Sequence, residues 1–321
     1  MNTLHSLVYV AGLCLLICSA CQSGTSKQVI DTTPKRILLD STDNWFGHYH
    51  VLEPESGQID GVIFLLAGLT QDQLSIFQES DLPQTAAAHN LLTVAFAGRT
   101  FLTADDRINP ALNRVFEDVM ERYQVSADQF VLGGFSAGGI IAMRYTELCV
   151  EKADQFPIQP AGLFMVDSPI DLFFMREMHQ EFIRDSVSEI AVGEARFLER
   201  LYRGFYGTTP EETPEAFRDL SPFSMKTALG TNEQFLMEIP IRCYHDVDIM
   251  WRITERGQPA RYQNYIPNAE LINRLILAGH SDALLVQSYQ TGYRANGDRH
   301  PHSWSVIDEQ VCVEWIQSIL P

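Results

Sequence analysis

The stretch Gly134-Phe135-Ser136-Ala137-Gly138 fits G-x-S-x-G, a pattern that sets a serine on a sharp turn between a strand and a helix. Phe130 to Leu132 is a short apolar run that reads as a buried strand, and Ile140 onward reads as a helix. Such a turn forces strained backbone angles on the serine and needs neighbours without bulk, which Gly134, Gly138 and Gly139 supply. The helix N-terminus behind Ser136 favours developing negative charge. A serine hydroxyl is a weak nucleophile at neutral pH and needs an adjacent base. Histidine fits that task because its pKa lies near working pH, and a carboxylate is then required to fix its tautomer. The chain has nine histidines from which to choose.

These groups need a scaffold, and the hydropathy pattern describes one. Asn44 to Leu52 alternates loosely, as an early antiparallel strand does. Gly61 to Leu66 is fully apolar and bounded by Gly61 and Gly68, the mark of a central strand buried on both faces. A helical stretch, Ser80 to His89, leads to a second apolar run at Leu91 to Phe96. Leu112, Val115, Phe116, Val119, Met120 and Tyr123 then recur at helical spacing behind Asn109-Pro110. Further strands are expected at Gly162 to Asp167, Ile239 to Tyr244 and Ala283 to Ser288. A helix carrying Leu271, Ile272, Leu275 and Ile276 ends at Gly279, and a closing helix spans Asp308 to Leu320 with Val311, Trp315, Ile316 and Ile319 inward. Strands alternating with helices indicate an α/β fold with a mostly parallel sheet. About 171 to 235 breaks the alternation with long helical patterns and prolines, and it reads as a helical cap inserted over the C-terminal edge of the sheet, where open α/β sheets bind ligands.

The chain has 321 residues, 45% of them hydrophobic, and a net charge of −18. That is enough for one large domain, and the acidity argues against a nucleic-acid partner. Residues 4 to 20 are apolar and without charged side chains, and read as part of a signal peptide covering 1–20. The run ends in Cys18-Ser19-Ala20-Cys21, which resembles a bacterial lipobox with Cys21 as the lipidated residue. An envelope lipoprotein held to the membrane by an N-terminal lipid is therefore expected, with an ordinary secreted or periplasmic form as the alternative. Residues 21–43 read as a polar tether, and 44–321 as the folded domain. Cys149, Cys243 and Cys312 are widely spaced in apolar patterns and read as small core residues. No Cys/His spacing suggests zinc, and there is no phosphate loop or nucleotide fingerprint, so neither metal nor cofactor is expected.

Taken in order, the chain carries nucleophile, acid and histidine, each after a strand. In this order, and in the glycine-flanked serine, the Gly68 loop, Ile239-Pro240 before an acid-bearing loop and a histidine before the last helix, residues 44 to 320 resemble the α/β-hydrolase superfamily, particularly its bacterial secreted esterase-like members. The resemblance implies Ser136 as nucleophile and the backbone N–H groups of Leu69 and Ala137 as oxyanion donors. For the base it leaves His302 and His300. His302 is preferred for its nearness to the terminal helix and its Ser-Trp context. For the acid, Asp248 is preferred because the family's acid usually sits several residues beyond this strand. Asp246 is its rival, and Asp167, at the end of the preceding strand, is a further candidate because some members carry the acid there.

The activity implied is serine-dependent hydrolysis of carboxylic esters through an acyl-enzyme. A serine peptidase or an acyltransferase would use the same three residues. From a different class, a non-catalytic binding lipoprotein could be built on the same scaffold, since fold alone does not establish activity.

Overall fold

The computed structural model describes residues 33–226 and 231–321. Their strands form one eight-stranded sheet. In chain order these are β1 (Lys35–Leu38), β2 (His48–Leu52), β3 (Gly61–Ala67), β4 (Leu91–Ala97), β5 (Phe130–Phe135), β6 (Gly162–Val166), β7 (Ile241–Asp246) and β8 (Ala283–Ser288). Across the sheet the order is β1-β2-β4-β3-β5-β6-β7-β8. β2 pairs antiparallel with both β1 and β4, and every other pairing is parallel.

Helices fill the crossovers. α1 (Leu74–Glu79) and α2 (Leu82–Ala88) join β3 to β4, α3 (Asn109–Tyr123) joins β4 to β5, and α4 (Ala137–Glu151) joins β5 to β6. Between β6 and β7 come α5 (Leu172–Asp185), α6 (Glu189–Leu201), one π turn at Tyr202–Tyr206 and α7 (Pro214–Leu220). α8 (Ile249–Arg256) and α9 (Tyr265–Leu277) precede β8, and α10 (Glu309–Ile319) follows it.

The continuous apolar run of β3 is explained by this layering. Successive strand side chains point to opposite faces. Val62, Phe64 and Leu66 join a core with Leu112 and Phe116 of α3, Met143 of α4 and Leu271 of α9. Ile63, Leu65 and Ala67 join a separate core with Leu82 of α2 and Cys312, Val313 and Ile316 of α10. Both faces are covered, so no residue of the strand can be polar without losing hydration. The periodic set of α3 packs as its spacing predicts, with Leu112, Val115, Phe116 and Val119 buried. Cys149, Cys243 and Cys312 are buried free thiols.

Three expectations are corrected. β1 lies inside the stretch read as tether, because Lys35–Leu38 pairs along β2, so the folded body starts before residue 44. Val311, expected inward on α10, is 58% exposed, and Cys312 and Val313 are buried in its place. α1 was not foreseen, since the loop after β3 has no helical periodicity long enough to recognise. No helix among the described residues is long and apolar enough to cross a membrane. Cys21 and the signal-like segment lie outside the described residues.

Candidate active site

Ser136 occupies the turn between β5 and α4, with φ 55° and ψ −124°, a conformation that non-glycine residues rarely adopt. The flanking glycines make the turn possible through close approach. A Cβ on Gly134 would stand 2.3 Å from the carbonyl oxygen of Gly138, and one on Gly138 would stand 2.2 Å from that of Leu66. Both obstacles are backbone and cannot rotate away. The Ser136 N–H is held by the Val166 carbonyl at 3.0 Å, which ties the elbow to the end of β6.

The base is brought by the loop after β8. His302 Nε2 lies 3.0 Å from Ser136 Oγ, and its Nδ1 lies 2.6 Å from Asp167 Oδ2. The imidazole therefore meets a hydroxyl at one nitrogen and a carboxylate at the other. Its ring packs 4.4 Å, centroid to centroid, from Phe135, which in turn contacts the fully buried Trp304. The two hydrogen bonds and the Phe135 ring together hold the imidazole.

His300, the other candidate, is turned away. Its ring is approached by the Arg256 guanidinium and sits edge-on to Trp251, and its Nδ1 accepts the His302 N–H at 3.2 Å. Burial, and then the neighbouring charges of His302 and three arginines, push its pKa down to about 2. It stays neutral and supports the loop.

The expectation that Asp248 orients the histidine is corrected by the geometry. Asp248 is the N-cap of α8, accepting the Trp251 N–H at 2.9 Å, and its other oxygen meets Arg299 at 3.1 Å. Asp246 accepts N–H groups from Gln290, Thr291 and Gly292 at 2.8–2.9 Å and also pairs with Arg299. Both acids at the end of β7 thus brace the loop that carries His302. Asp167 stands one strand nearer: it follows β6, which is the direct neighbour of β5. Its backbone is turned to φ 42°, and its carbonyl is held by Asn264 Nδ2 at 2.9 Å.

Asp167 is buried, 4% exposed, and has three cationic or hydrogen-bonding partners. Besides His302 these are Arg252, 2.9 Å from Oδ2, and the buried His245, whose Nδ1 is 3.1 Å from Oδ1. Burial alone would raise its pKa. The His302 charge, the two histidine hydrogen bonds and Arg252 outweigh this and hold it well below the usual carboxylate range. Asp167 is therefore an anion at any working pH. Sequence reasoning missed Arg252, His245 and Asn264 as its supports. His245 lies next to the last residue of an apolar strand, which was a usable signal; Arg252 and Asn264 offered none.

The serine opens into a cavity of about 320 Å³. Leu69, in the loop after β3, and Ala137, the first residue of α4, both line it. The first N–H groups of a helix have no partner within it, so that of Ala137 is available to a ligand. α5 and α6 contribute the far wall through Met175, His179 and Leu198.

This arrangement, a serine elbow after β5 on a mostly parallel sheet, is the α/β-hydrolase fold. Known structures agree. Carboxyl esterase 2 from the mycorrhizal fungus Tuber melanosporum superposes with a TM-score of 0.56 at 18% identity, over 94% of this chain and 90% of that one. An esterase of the bacterial hormone-sensitive lipase family gives 0.53 at 14%, over 91% and 86%. A hormone-sensitive lipase from a metagenome library gives 0.52 at 16%, over 87% and 84%. No protein-family model matches the chain, and neither does any curated protein. At these identities the likeness speaks for the fold.

Proposed function

We propose that the chain is a serine hydrolase that cleaves carboxylic esters through an acyl-enzyme, with Ser136 as nucleophile, His302 as general base and acid, and Asp167 as the orienting carboxylate. The observation that carries this reading is the hydrogen-bonded line from Ser136 Oγ to His302 Nε2 and from His302 Nδ1 to Asp167 Oδ2. Ser136 attacks the ester carbonyl as His302 takes its proton. The oxyanion is held by the backbone N–H groups of Leu69 and Ala137, and the helix behind them favours the charge. His302 then gives the proton to the departing alcohol, and water repeats the sequence on the acyl-enzyme. Asp167, fixed as an anion, stabilises the imidazolium at both stages. Esterases and a lipase among the structural neighbours favour an ester over an amide. The helices between β6 and β7 act as a cap that shapes the acyl site.

The test is labelling of the purified chain with a fluorophosphonate, together with hydrolysis of p-nitrophenyl butyrate. Both should be lost in Ser136→Ala. Labelling that persists in that variant would remove Ser136 from the mechanism.

We further propose that the enzyme belongs to the bacterial envelope, attached through lipid on Cys21; Ser19-Ala20-Cys21 after an apolar run supports this. Expressed in a bacterium, the full chain should fractionate with membranes and Cys21→Ser should not. An unmodified N-terminus at residue 22 or beyond would exclude the anchor.

A further inference from the structure

The site has two lobes that meet at His302, both of mixed lining, the second the richer in polar side chains. On the serine side, the cavity of about 320 Å³ is walled by Leu102, Ile140, Met175 and Leu198. Adjoining it at the imidazole is a second space of about 70 Å³, which shares Met178, His179, Glu194, Asn264 and His302 with the first. Its polar wall is His179, Glu194, Arg252, Gln258, Gln263 and Asn264.

We infer, resting on the ester-hydrolase reading above, that this second lobe holds the leaving alcohol and is built for a small neutral polyol of the glycerol type. Direction follows from the chemistry. His302 protonates the leaving oxygen, so the alcohol must lie on the imidazole side, and the acyl chain is left to the larger lobe.

The hydrogen-bonding demand comes from groups with no protein partner. His179 is 3% exposed, and its Nδ1 has no hydrogen-bond partner. Burial, and then the charge of Arg176, push its pKa down to about 3, so it lines both spaces as a neutral ring. Arg252 spends one nitrogen on Asp167, and its buried Nε is also without a partner. A buried polar group left unpaired is costly, and a ligand hydroxyl that pairs with it recovers that cost.

A neutral alcohol suits the lobe because its lining carries one charge of each sign, Glu194 and Arg252, and so offers no net attraction to an ion. An anionic head group would meet the carboxylate of Glu194. A cationic one would meet the guanidinium of Arg252. A polyol suits both, because each hydroxyl can donate or accept. The small volume suits a short alcohol.

The step this predicts can be followed on the acyl-enzyme. A polyol seated in the lobe attacks the acyl carbon. The new C–O bond forms as the bond to Ser136 Oγ breaks, and the polyol proton passes through His302 to Ser136 Oγ. The products are a polyol ester and free enzyme.

The experiment uses the full chain. kcat/KM is measured for glyceryl monobutyrate and propyl butyrate, which share the acyl group and differ by two hydroxyls. In parallel, p-nitrophenyl butyrate is turned over with glycerol or 1-propanol at equal concentration, and butyryl ester is measured against free butyrate. The glyceryl substrate and the glycerol acceptor should each be favoured by about tenfold or more. His179→Leu and, at the exposed rim, Glu194→Gln should each pull both ratios toward one, so the test does not depend on the buried variant folding. Equal rates for the glyceryl and propyl compounds, or a stronger preference for butyrylcholine or a phosphorylated glycerol ester, would overturn the inference while leaving the hydrolase reading intact. Absence of both p-nitrophenyl butyrate hydrolysis and fluorophosphonate labelling would overturn the two together.

Discussion

Asp167 Oδ2 lies 2.6 Å from His302 Nδ1 and 2.9 Å from an Arg252 nitrogen, so a single oxygen joins the base to a fixed positive charge. Asp248, the acid favoured by its distance beyond β7, is instead committed to a helix cap and to Arg299.

This division predicts opposite outcomes at two aspartates. Asp167→Asn keeps the shape and removes the charge that fixes the tautomer, and should lower kcat on the order of 10⁴-fold. Asp248→Asn can still cap α8 and should leave kcat within about tenfold of the parent, because its contribution is structural. Steady-state kinetics on p-nitrophenyl butyrate decide between them, and a reversal of the two phenotypes would return the acid to the end of β7.

The two histidines of the last loop separate in the same way. His302→Ala should lower kcat on the order of 10⁶-fold, and the double variant with Ser136→Ala should be no worse, since the two act as a unit. His300→Ala removes a neutral ring that supports the loop through Arg256 and Trp251, and should cost about tenfold through poorer positioning. Additive losses in the double variant would show that His302 does not act through Ser136.

Gly138→Ala tests the elbow as packing. The added methyl would stand 2.2 Å from the Leu66 carbonyl oxygen, so either β3 or α4 must shift. A destabilisation of about 1–3 kcal/mol or more is expected in chemical denaturation, with activity lost in parallel. A variant with unchanged stability would mean that the turn is looser than its contacts indicate.

His179 contributes a stability that is lost in acid. His179 has a pKa of about 3 when folded and an ordinary 6.5 when unfolded, so between these values the unfolded chain binds a proton that the native chain does not. The contribution is complete above pH 6.5 and declines by about 1.4 kcal/mol for each pH unit below it. His300, displaced in the same direction, adds to the slope. Asp167, displaced below 3.8, favours the folded state above that value and loses this effect only as pH falls through its depressed folded pKa. Glu233, raised by burial to about 7, and Glu147, raised well above its ordinary value by burial, act in the opposite sense over the same range, so the His179 effect is read by difference: His179→Gln should make the pH dependence of the denaturation midpoint between pH 4 and 6.5 less positive by close to one proton. An unchanged slope in that variant would place a partner on His179.

What the sequence determined was whatever depends on local order. The G-x-S-x-G turn is legible in residue types that stand within a few positions of one another, and the doubly buried strands in unbroken apolar runs at Gly61–Ala67 and Leu91–Ala97. His302 was within reach because it shares one short loop with its only rival. Which carboxylate meets it was decided by tertiary structure alone. Asp167 and Asp248 both follow parallel strands, and no spacing along the chain records that β6 rather than β7 lies beside β5. Nor does it record that Arg299 would engage both Asp246 and Asp248 and leave Asp167 to the imidazole. The partners of Asp167 come from positions 78 to 135 residues away, and such pairings arise only when strand order and helix packing bring separate segments to one edge of the sheet.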